Sequence, residues 1–287
     1  MPDGPGGNQH LGGAMAARLL VESQEWYVGE YTCTAGPSNR PFEERHEHVT
    51  IAAVVEGSFT YRGDAGRAIL HPGAFLFGNF GSCYQCGHDH STGDRCIAFH
   101  FAPEYFSEVA ASVAGSSQFK FPSAMLPAVS KVLPWLAQIE ARVSTSDCLE
   151  IDEAVPGIME AVIGAVSNST PTRVQVSARQ ERRIAEVLRY IELHAENSVD
   201  LVVLSRVAAM SKYHFLRTFR RTVGMTPYQF VLSVRMRRAA VRLASSAEPV
   251  SAIALDVGFG DLSTFNRRFK DVFGVSPTAY RGHERVN

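Results

Sequence analysis

The stretch Phe215-Leu216-Arg217-Thr218-Phe219-Arg220 is matched fifty residues later by Phe265-Asn266-Arg267-Arg268-Phe269-Lys270. The same shift superposes the glycine and the proline that follow each copy, which are Gly224 with Pro227 and Gly274 with Pro277. Internal self-similarity of this kind marks a duplicated structural unit. The last hundred or so residues therefore contain one short unit twice.

Each copy has the pattern of a helix with one apolar face. The phenylalanines lie four residues apart in both copies, so they share one helix face and are expected to be buried. Ser211 and Asp261 are suitable N-caps, and the glycines at 224 and 274 are suitable C′ residues. A short apolar-striped helix is predicted upstream in each copy, at residues 204–208 and 253–257, followed by a tight turn. The unit is therefore a predicted helix-turn-helix, whose polar and basic second helix suits the DNA major groove.

The charge distribution supports DNA binding independently of the motif. The formal net charge of the whole chain is only -1. Residues 178–287 nevertheless carry 18 Lys and Arg against 10 Asp and Glu, whereas residues 1–177 carry 10 against 19. A basic half favours DNA because Lys and Arg displace the counterions condensed on phosphate. The expected phosphate contacts are Lys212, Arg220, Arg221, Arg268 and Lys270.

Residues 182–281 resemble the AraC/XylS family of bacterial transcription regulators. The resemblance is carried by Ile253-Ala254, Val257-Gly258-Phe259-Gly260-Asp261, Phe265, Phe269-Lys270, Phe273-Gly274-Val275-Ser276-Pro277 and Tyr280-Arg281. It implies two helix-turn-helix units joined by a long helix, here residues 227–243, with recognition helices that enter successive major grooves. It also implies that the base-reading residues are Tyr213, Leu216, Arg217, Ser263, Thr264 and Arg267. Leu216 departs from the polar residue often found there and suits a thymine methyl group or no contact.

The N-terminal half has short β-rich runs separated by Gly and Pro. Runs at residues 49–55, 58–62, 67–70 and 74–77 predict an all-β barrel or jelly roll. The order His48, residues 54–57 and residues 70–73 resembles a cupin-type sensor domain. Two amphipathic helices are predicted to follow, and they either dimerise, as the family resemblance implies, or pack on the barrel. The expected fold class is α+β, with a cupin-like β-barrel or jelly roll and its helices ahead of an all-α domain of two helix-turn-helix units.

Length and composition set the expected domain organisation. A chain of 287 residues is long enough for two domains. The Gly- and Pro-rich start predicts a disordered tail at 1–15, followed by a sensor and dimerisation domain at 16–166. A polar linker is predicted at 167–177 and the DNA-binding domain at 178–287. With no run of 18 apolar residues and no signal-peptide pattern, no membrane association and a cytoplasmic location are expected.

A cluster of cysteines and histidines follows the barrel pattern. The predicted metal ligands are Cys83, Cys86, His88, His90 and Cys96, whose thiols and imidazoles suit a tetrahedral Zn²⁺ site. Alternation puts Cys96 and His100 on one strand face. The cupin resemblance implies metal histidines near His46 and His48 and a later ligand near Cys83. The chain lacks the usual cupin glutamate and downstream histidine.

Three interpretations of this cluster stay open: a bound zinc or similar ion, a redox pair of Cys83 with Cys86 or Cys96, and buried cysteines with solvated histidines. Cys33 and Cys148 stand apart and are interpreted as small core residues.

The sequence thus predicts a regulator that binds double-stranded DNA, acts as a homodimer and is not an enzyme. Its signal would be a metal, a redox change or a small-molecule effector. The alternative function is a cupin-type metal enzyme tethered to a DNA-binding domain, which the missing cupin metal residues disfavour. Alkyl transfer to a zinc-bound cysteine is a further alternative, disfavoured by the barrel pattern around the cysteines.

Overall fold

The computed structural model describes residues 15–41, 43–88, 93–127, 132–145, 148–167 and 177–286. The chain divides into two compact units, Met1–Met125 and Leu126–Asn287. The first unit is rich in β-strands and the second is helical. The predicted tail at 1–15 and linker at 167–177 lie almost entirely outside the described residues, so both stay predictions.

Two antiparallel sheets form the first unit. One has six strands in the order β1-β2-β9-β4-β7-β10, and the other has four in the order β3-β8-β5-β6. The strands are β1 Met15–Glu22, β2 Trp26–Cys33, β3 Glu43–Arg45, β4 Val49–Gly57, β5 Phe59–Gly63, β6 Gly66–Leu70, β7 Phe75–Gly78, β8 Cys83–Gly87, β9 Asp94–Phe101 and β10 Met125–Leu126. Strands β4 to β7 confirm the four β-rich runs that the sequence predicts. Strands β1 to β3, β8 and β10 were not among the predicted β-rich runs.

The two sheets enclose a common interior. Ala52, Val54 and Cys96 of the large sheet pack in one cluster with Phe59 and Tyr61 of the small sheet. Phe106 of α1, Pro103–Ala114, packs near Phe101 of β9 with ring centroids 6.4 Å apart. Phe77 of β7 stacks on Phe121 with ring centroids 4.2 Å apart. Because the large sheet is buried on both faces, β4 is apolar at nearly every position from Val49 to Val55.

Nine helices are described in the second unit: α2 Leu133–Thr145, α3 Cys148–Ser167, α4 Ala178–His194, α5 Leu201–Val207, α6 Lys212–Val223, α7 Pro227–Ser245, α8 Val250–Asp256, α9 Leu262–Phe273 and α10 Pro277–Val286. The long connecting helix predicted at 227–243 is α7. None of the described helices combines the length and the apolar composition that a membrane crossing needs.

The helices α2 and α3 belong to the second unit, whereas the sequence-based boundaries place them in the sensor domain up to residue 166. The physical reason is packing, because α2 lies against α7. Leu133, Leu136 and Ile139 of α2 are buried, as the amphipathic pattern predicts. A buried ion pair reinforces this contact, with Arg237 Nη1 of α7 donating to Glu140 Oε2 of α2 at 2.9 Å. The contact of α2 with α7 was not predicted from the sequence, and dimerisation through these helices stays a prediction.

Candidate functional site

The first helix-turn-helix unit consists of α5 and α6. Its second helix begins at Ser211, whose Oγ accepts a hydrogen bond from the backbone N–H of His214. It ends at Gly224, which has a φ of 83°. Phe215 and Phe219 are fully buried with their rings in edge contact. The predicted caps and the predicted buried stripe are therefore confirmed in this unit.

The second unit consists of α8 and α9 and repeats these features. Asp261 caps α9, and its Oδ1 accepts a hydrogen bond from Thr264 N at 2.7 Å. That hydrogen bond from Thr264 holds the pKa of the Asp261 carboxyl below its usual value. Phe265 and Phe269 are fully buried, and Gly274 ends the helix with a φ of 77°. The duplication read in the sequence is thus a duplication of local structure.

The turns inside the two units also correspond. Ala209 N bonds to Arg206 O at 2.9 Å and Gly258 N bonds to Leu255 O at 2.9 Å. Both residues have a left-handed backbone, with φ 47° at Ala209 and 96° at Gly258. A Cβ at Gly258 would lie 2.5 Å from the carbonyl oxygen of Glu196, so the second turn requires glycine. The first turn tolerates an exposed alanine in the same conformation.

The predicted base-reading residues lie on the outer faces of α6 and α9. Tyr213 is 77% exposed and Leu216 is 39% exposed. Arg217, Ser263 and Arg267 are exposed, whereas Thr264 is half-buried. The first unit therefore presents an aromatic ring, an apolar side chain and a guanidinium to a partner. The second presents two hydroxyls and a guanidinium.

Most of the predicted phosphate contacts surround these faces. Four are exposed: Lys212, Arg220, Arg221 and Lys270. Arg268 differs because it is half-buried and its Nε is buried without a hydrogen-bond partner in the described part of the chain. Four of the five predicted phosphate contacts are thus exposed side chains.

Arg235 of α7 is a structural residue that the sequence pattern did not reveal. Its guanidinium donates to Ala195 O at 2.7 Å, to Gly258 O at 2.8 Å and to Asn197 O at 2.9 Å. It also lies 5.8 Å from the ring centre of Phe259. These contacts tie the connecting helix to the turn of the second unit. The partners are backbone oxygens, which leave no mark in a sequence.

In the β-rich unit Met1–Met125, the pleat of β8 separates Cys83 from Cys86, which the sequence analysis placed at one metal ion. Side chains three positions apart in a strand point to opposite faces. Cys86 packs with Tyr84 against the interior cluster, whereas Cys83 does not belong to that cluster. The two thiols therefore do not converge on one ion as the spacing suggested. His90 lies outside the described residues.

A different group of metal-ligating side chains comes together at the end of the large sheet. Ligand atoms of Cys33, His88 and Asp94 lie within 4.8 Å of one another. Cys96 is adjacent, with its Sγ 3.4 Å from Asp94 Oδ1. Cys33, interpreted from sequence as an isolated core residue, is thus part of a cluster with His88 and Cys96 of the predicted set. The side chain of Cys148 is not described.

Electrostatics at this cluster are dominated by burial and by Asp94. Burial would lower the pKa of His88, but hydrogen bonds with Asp94 and Cys33 raise it to about 9. The His88 Nε2 to Asp94 Oδ2 distance is 2.5 Å, and both side chains are at least 90% buried. Burial, followed by the charge of Asp94, raises the pKa of the Cys96 thiol.

The histidines at the other end of the interior do not fit a cupin-type metal site. His46 Nε2 is hydrogen-bonded to the Tyr61 hydroxyl at 2.9 Å, and its ring stacks on Tyr84. His100, on the same inward face of β9 as Cys96, has both ring nitrogens engaged by Thr50 and Tyr31. Among the residues that the structure describes, neither His46 nor His48 joins a group of three potential ligands. Burial lowers the pKa of His46 to about 4 and that of His100 to about 3, so both are neutral at pH 7.

A family model described as a helix-turn-helix domain matches residues 204–283. MarA from Salmonella typhimurium, a multiple antibiotic resistance protein, is 34% identical over 98 residues, which are 34% of this chain and 77% of MarA. The transcriptional regulator MtrA from Neisseria gonorrhoeae is 24% identical over 201 residues, which are 69% of this chain and 65% of MtrA.

Some of the matches span only part of each relative. An uncharacterized transcriptional regulator from Haemophilus influenzae is 36% identical, but the match spans only 35% of that protein and 36% of this chain. The chain thus matches about a third of the length of the first curated relatives. Among solved structures, ToxT from Vibrio cholerae is 11% identical with a TM-score of 0.36, over 90% of this chain and 95% of ToxT.

Two capped helix-turn-helix units with exposed polar faces, together with the matching model, define a helix-turn-helix DNA-binding region. The chain belongs to the AraC/XylS family of transcription regulators. Relatives named as transcriptional regulators agree with the predicted non-enzymatic function.

Proposed function

We propose that this protein is a sequence-specific DNA-binding transcription regulator that acts in the cytoplasm. In this proposal α6 and α9 are the reading helices, and they enter successive major grooves of double-stranded DNA. The observation that carries it is the duplicated unit, because its phenylalanines anchor each helix by one face and leave the opposite face exposed. Helices of this kind read base edges through the side chains of their outer face.

The proposed division of labour on each helix follows exposure and chemistry. Arg217 and Arg267 suit the acceptor edge of guanine, while Ser263 and Thr264 can donate to or accept from a base. Leu216 suits a thymine methyl group. The exposed cations Arg220 and Lys270, with Lys212 and Arg221, would hold the register on the phosphates.

For the β-rich unit we propose a cupin-like sensor that receives the signal, with the intact protein acting as a homodimer. Two packed antiparallel sheets support the first part of this proposal. A second copy of the chain would double the length of DNA read, since each chain has only two reading helices. Light scattering of the full chain at micromolar concentration, with and without operator DNA, tests the dimer. A strict monomer in both conditions contradicts it.

Two substitutions on α9 test the assignment of roles, and they remove the same charge from exposed side chains. Arg267→Ala should cost about 1–3 kcal/mol at the specific site and much less on random DNA, since a guanine contact is lost. Lys270→Ala should weaken binding to both DNAs alike and reduce the dependence of affinity on salt. The assay is fluorescence anisotropy of the full chain with labelled promoter DNA and random DNA over a salt series.

The two variants distinguish a base contact from a phosphate contact. If both variants lose affinity equally on random DNA, Arg267 is a phosphate contact and its reading role is wrong. If neither variant changes affinity for any DNA, α9 is not a reading helix.

A further inference from the structure

A group of metal-ligating side chains lies where β2 ends and β9 begins, in the β-rich unit. These side chains have no part in the proposed DNA binding. Cys33 ends β2 and Asp94 begins β9, and the two residues are direct partners across the antiparallel ladder. His88 follows β8 of the other sheet. Cys96 lies two positions after Asp94 and therefore on the same face of β9. Four candidate ligands thus converge from three strands.

We propose that Cys33, His88, Asp94 and Cys96 bind one Zn²⁺ ion. Two thiolates, an imidazole and a carboxylate are the ligand types that zinc takes in a closed tetrahedral site. Metal–sulfur and metal–nitrogen distances of about 2.3 and 2.0 Å imply ligand atoms roughly 3.3–3.8 Å apart. Ligand atoms of the first three residues already lie within 4.8 Å of one another, so small rotamer changes bring them into place. Cys96 Sγ lies 3.4 Å from Asp94 Oδ1 but outside that 4.8 Å group, so it would supply the fourth position after a side-chain rotation toward the other ligands.

The hydrogen bonds within the cluster hold protons at the positions where a cation would bind. Asp94 accepts hydrogen bonds from both His88 Nε2 and Cys96 Sγ, so a proton occupies each line between ligand atoms. Zinc binding would take the place of these protons, which would leave to water. The Cys33 sulfur also accepts a backbone hydrogen bond from Ala35 N at 3.4 Å, a contact that orients the side chain.

The backbone around the cluster is held closely enough to keep the ligands together. Gly93 N bonds to Ala35 O at 2.8 Å. Any Cβ on Gly93 would lie 2.6 Å from Cys33 O, and one on Gly57 would lie 2.3 Å from Gly93 O. Both glycines have φ near +73°. This close approach of three chain segments fixes Asp94 beside Cys33.

The proposed ligand set differs from the sequence prediction in a way that can be measured. Both sets contain His88 and Cys96. The proposed set has Cys33 and Asp94 in place of Cys83 and Cys86, because the pleat of β8 turns Cys83 to the opposite face from Cys86, which stays in the interior with Cys96, and because Cys86 is not in the group of close ligand atoms. Cys83→Ser is therefore the matched control for Cys33→Ser, since both remove one thiol from the same unit.

The test is metal content and Co²⁺ binding of the full chain, purified without an affinity tag or chelator. Elemental analysis should find about one zinc per chain, and Co²⁺ loaded in its place should give a thiolate-to-cobalt charge-transfer band. Cys33→Ser and Asp94→Asn should each weaken Co²⁺ binding by at least 10-fold, whereas Cys83→Ser should leave it unchanged. Loss of the band in Cys83→Ser to the same degree as in Cys33→Ser overturns the proposed ligand set.

A second measurement uses the unmodified protein and does not depend on how a variant folds. Native mass spectrometry should show one zinc ion per chain that a chelator removes, while Cys83 reacts with an alkylating reagent at the same rate before and after removal. Full chain that binds neither zinc nor Co²⁺ at micromolar concentration overturns the proposal. A Cys33–Cys96 disulfide in the purified protein also overturns it.

Discussion

The ion pair between Glu140 and Arg237 should be one of the most sensitive points of the helical unit. Their side chains are 16% and 5% exposed and their charged atoms are 2.9 Å apart. Two unit charges about 4 Å apart attract by about 4 kcal/mol at an effective dielectric constant near 20. Removing one partner of a buried pair typically costs about 3–5 kcal/mol, because the other charge stays buried.

For Glu140→Gln we expect the free energy of unfolding to fall by about 2–3 kcal/mol, less than is typical for a buried pair. There are two reasons for the smaller effect. The amide oxygen can still accept a hydrogen bond from Arg237. A second carboxylate, that of Glu192, lies 3.7 Å from Arg237 Nη2 and offsets part of the remaining charge. Replacing both partners, as in Glu140→Leu with Arg237→Met, should cost less than the single change, because no buried charge is left alone.

The matched control is Glu196→Gln, which removes the carboxylate from a pair with Arg238 on the same helix α7. That pair is 3.3 Å apart, but its side chains are 36% and 39% exposed, so its loss should cost less than about 1 kcal/mol. Urea unfolding of the full chain, followed by circular dichroism at the helical band, gives the free-energy differences. If Glu140→Gln costs no more than Glu196→Gln, α2 is not held against α7 and the assignment of α2 to the helical unit is wrong.

The remaining predictions concern the turns and the buried histidines. Gly258→Ala should destabilise the protein by more than about 1 kcal/mol, since it adds a Cβ at positive φ against a carbonyl oxygen. The control is Ala209→Gly, which should leave the stability measured by thermal unfolding unchanged or raise it by up to about 1 kcal/mol. If the two substitutions lower the stability equally, the second turn does not require glycine. The free energy of unfolding should also fall as pH drops below 6.5. The reason is that His46 and His100 take up protons near that pH in the unfolded chain, whereas in the folded chain they stay neutral until the pH approaches their pKa values of about 4 and 3. Between pH 7 and 5 the free energy of unfolding should fall by on the order of 2 kcal/mol per histidine, and this fall should be smaller in His100→Phe. If the pH profile of that variant is unchanged, His100 is not a buried neutral histidine.

The features that the sequence predicted well are those set by neighbouring residues. The caps at Ser211 and Asp261 act over three positions, and the buried phenylalanines of α6 and α9 follow from a four-residue spacing. The left-handed glycines that end these helices are equally local. Because a duplicated unit repeats such signals, even the boundaries of α6 and α9 were within reach of sequence reasoning.

Features that depend on distant pairing were missed or misplaced. Arg235 binds backbone oxygens at Ala195, Asn197 and Gly258, and no residue type marks a carbonyl acceptor. The helix α2 was placed with the sensor because it follows the β-strands in the chain, although it packs on α7. An amphipathic pattern shows that a face is buried but does not show which surface covers it.

The metal-ligating cluster shows both contributions at one place. The sequence alone showed that thiols and imidazoles are concentrated near residues 83–96, and His88 from that stretch does lie in the group of close ligand atoms. Only the tertiary structure decided that Cys83 and Cys86 face apart and that Cys33, 61 positions before Asp94, lies beside it. The reason is that proximity along a strand alternates between faces, whereas proximity across a sheet is set by strand order and register.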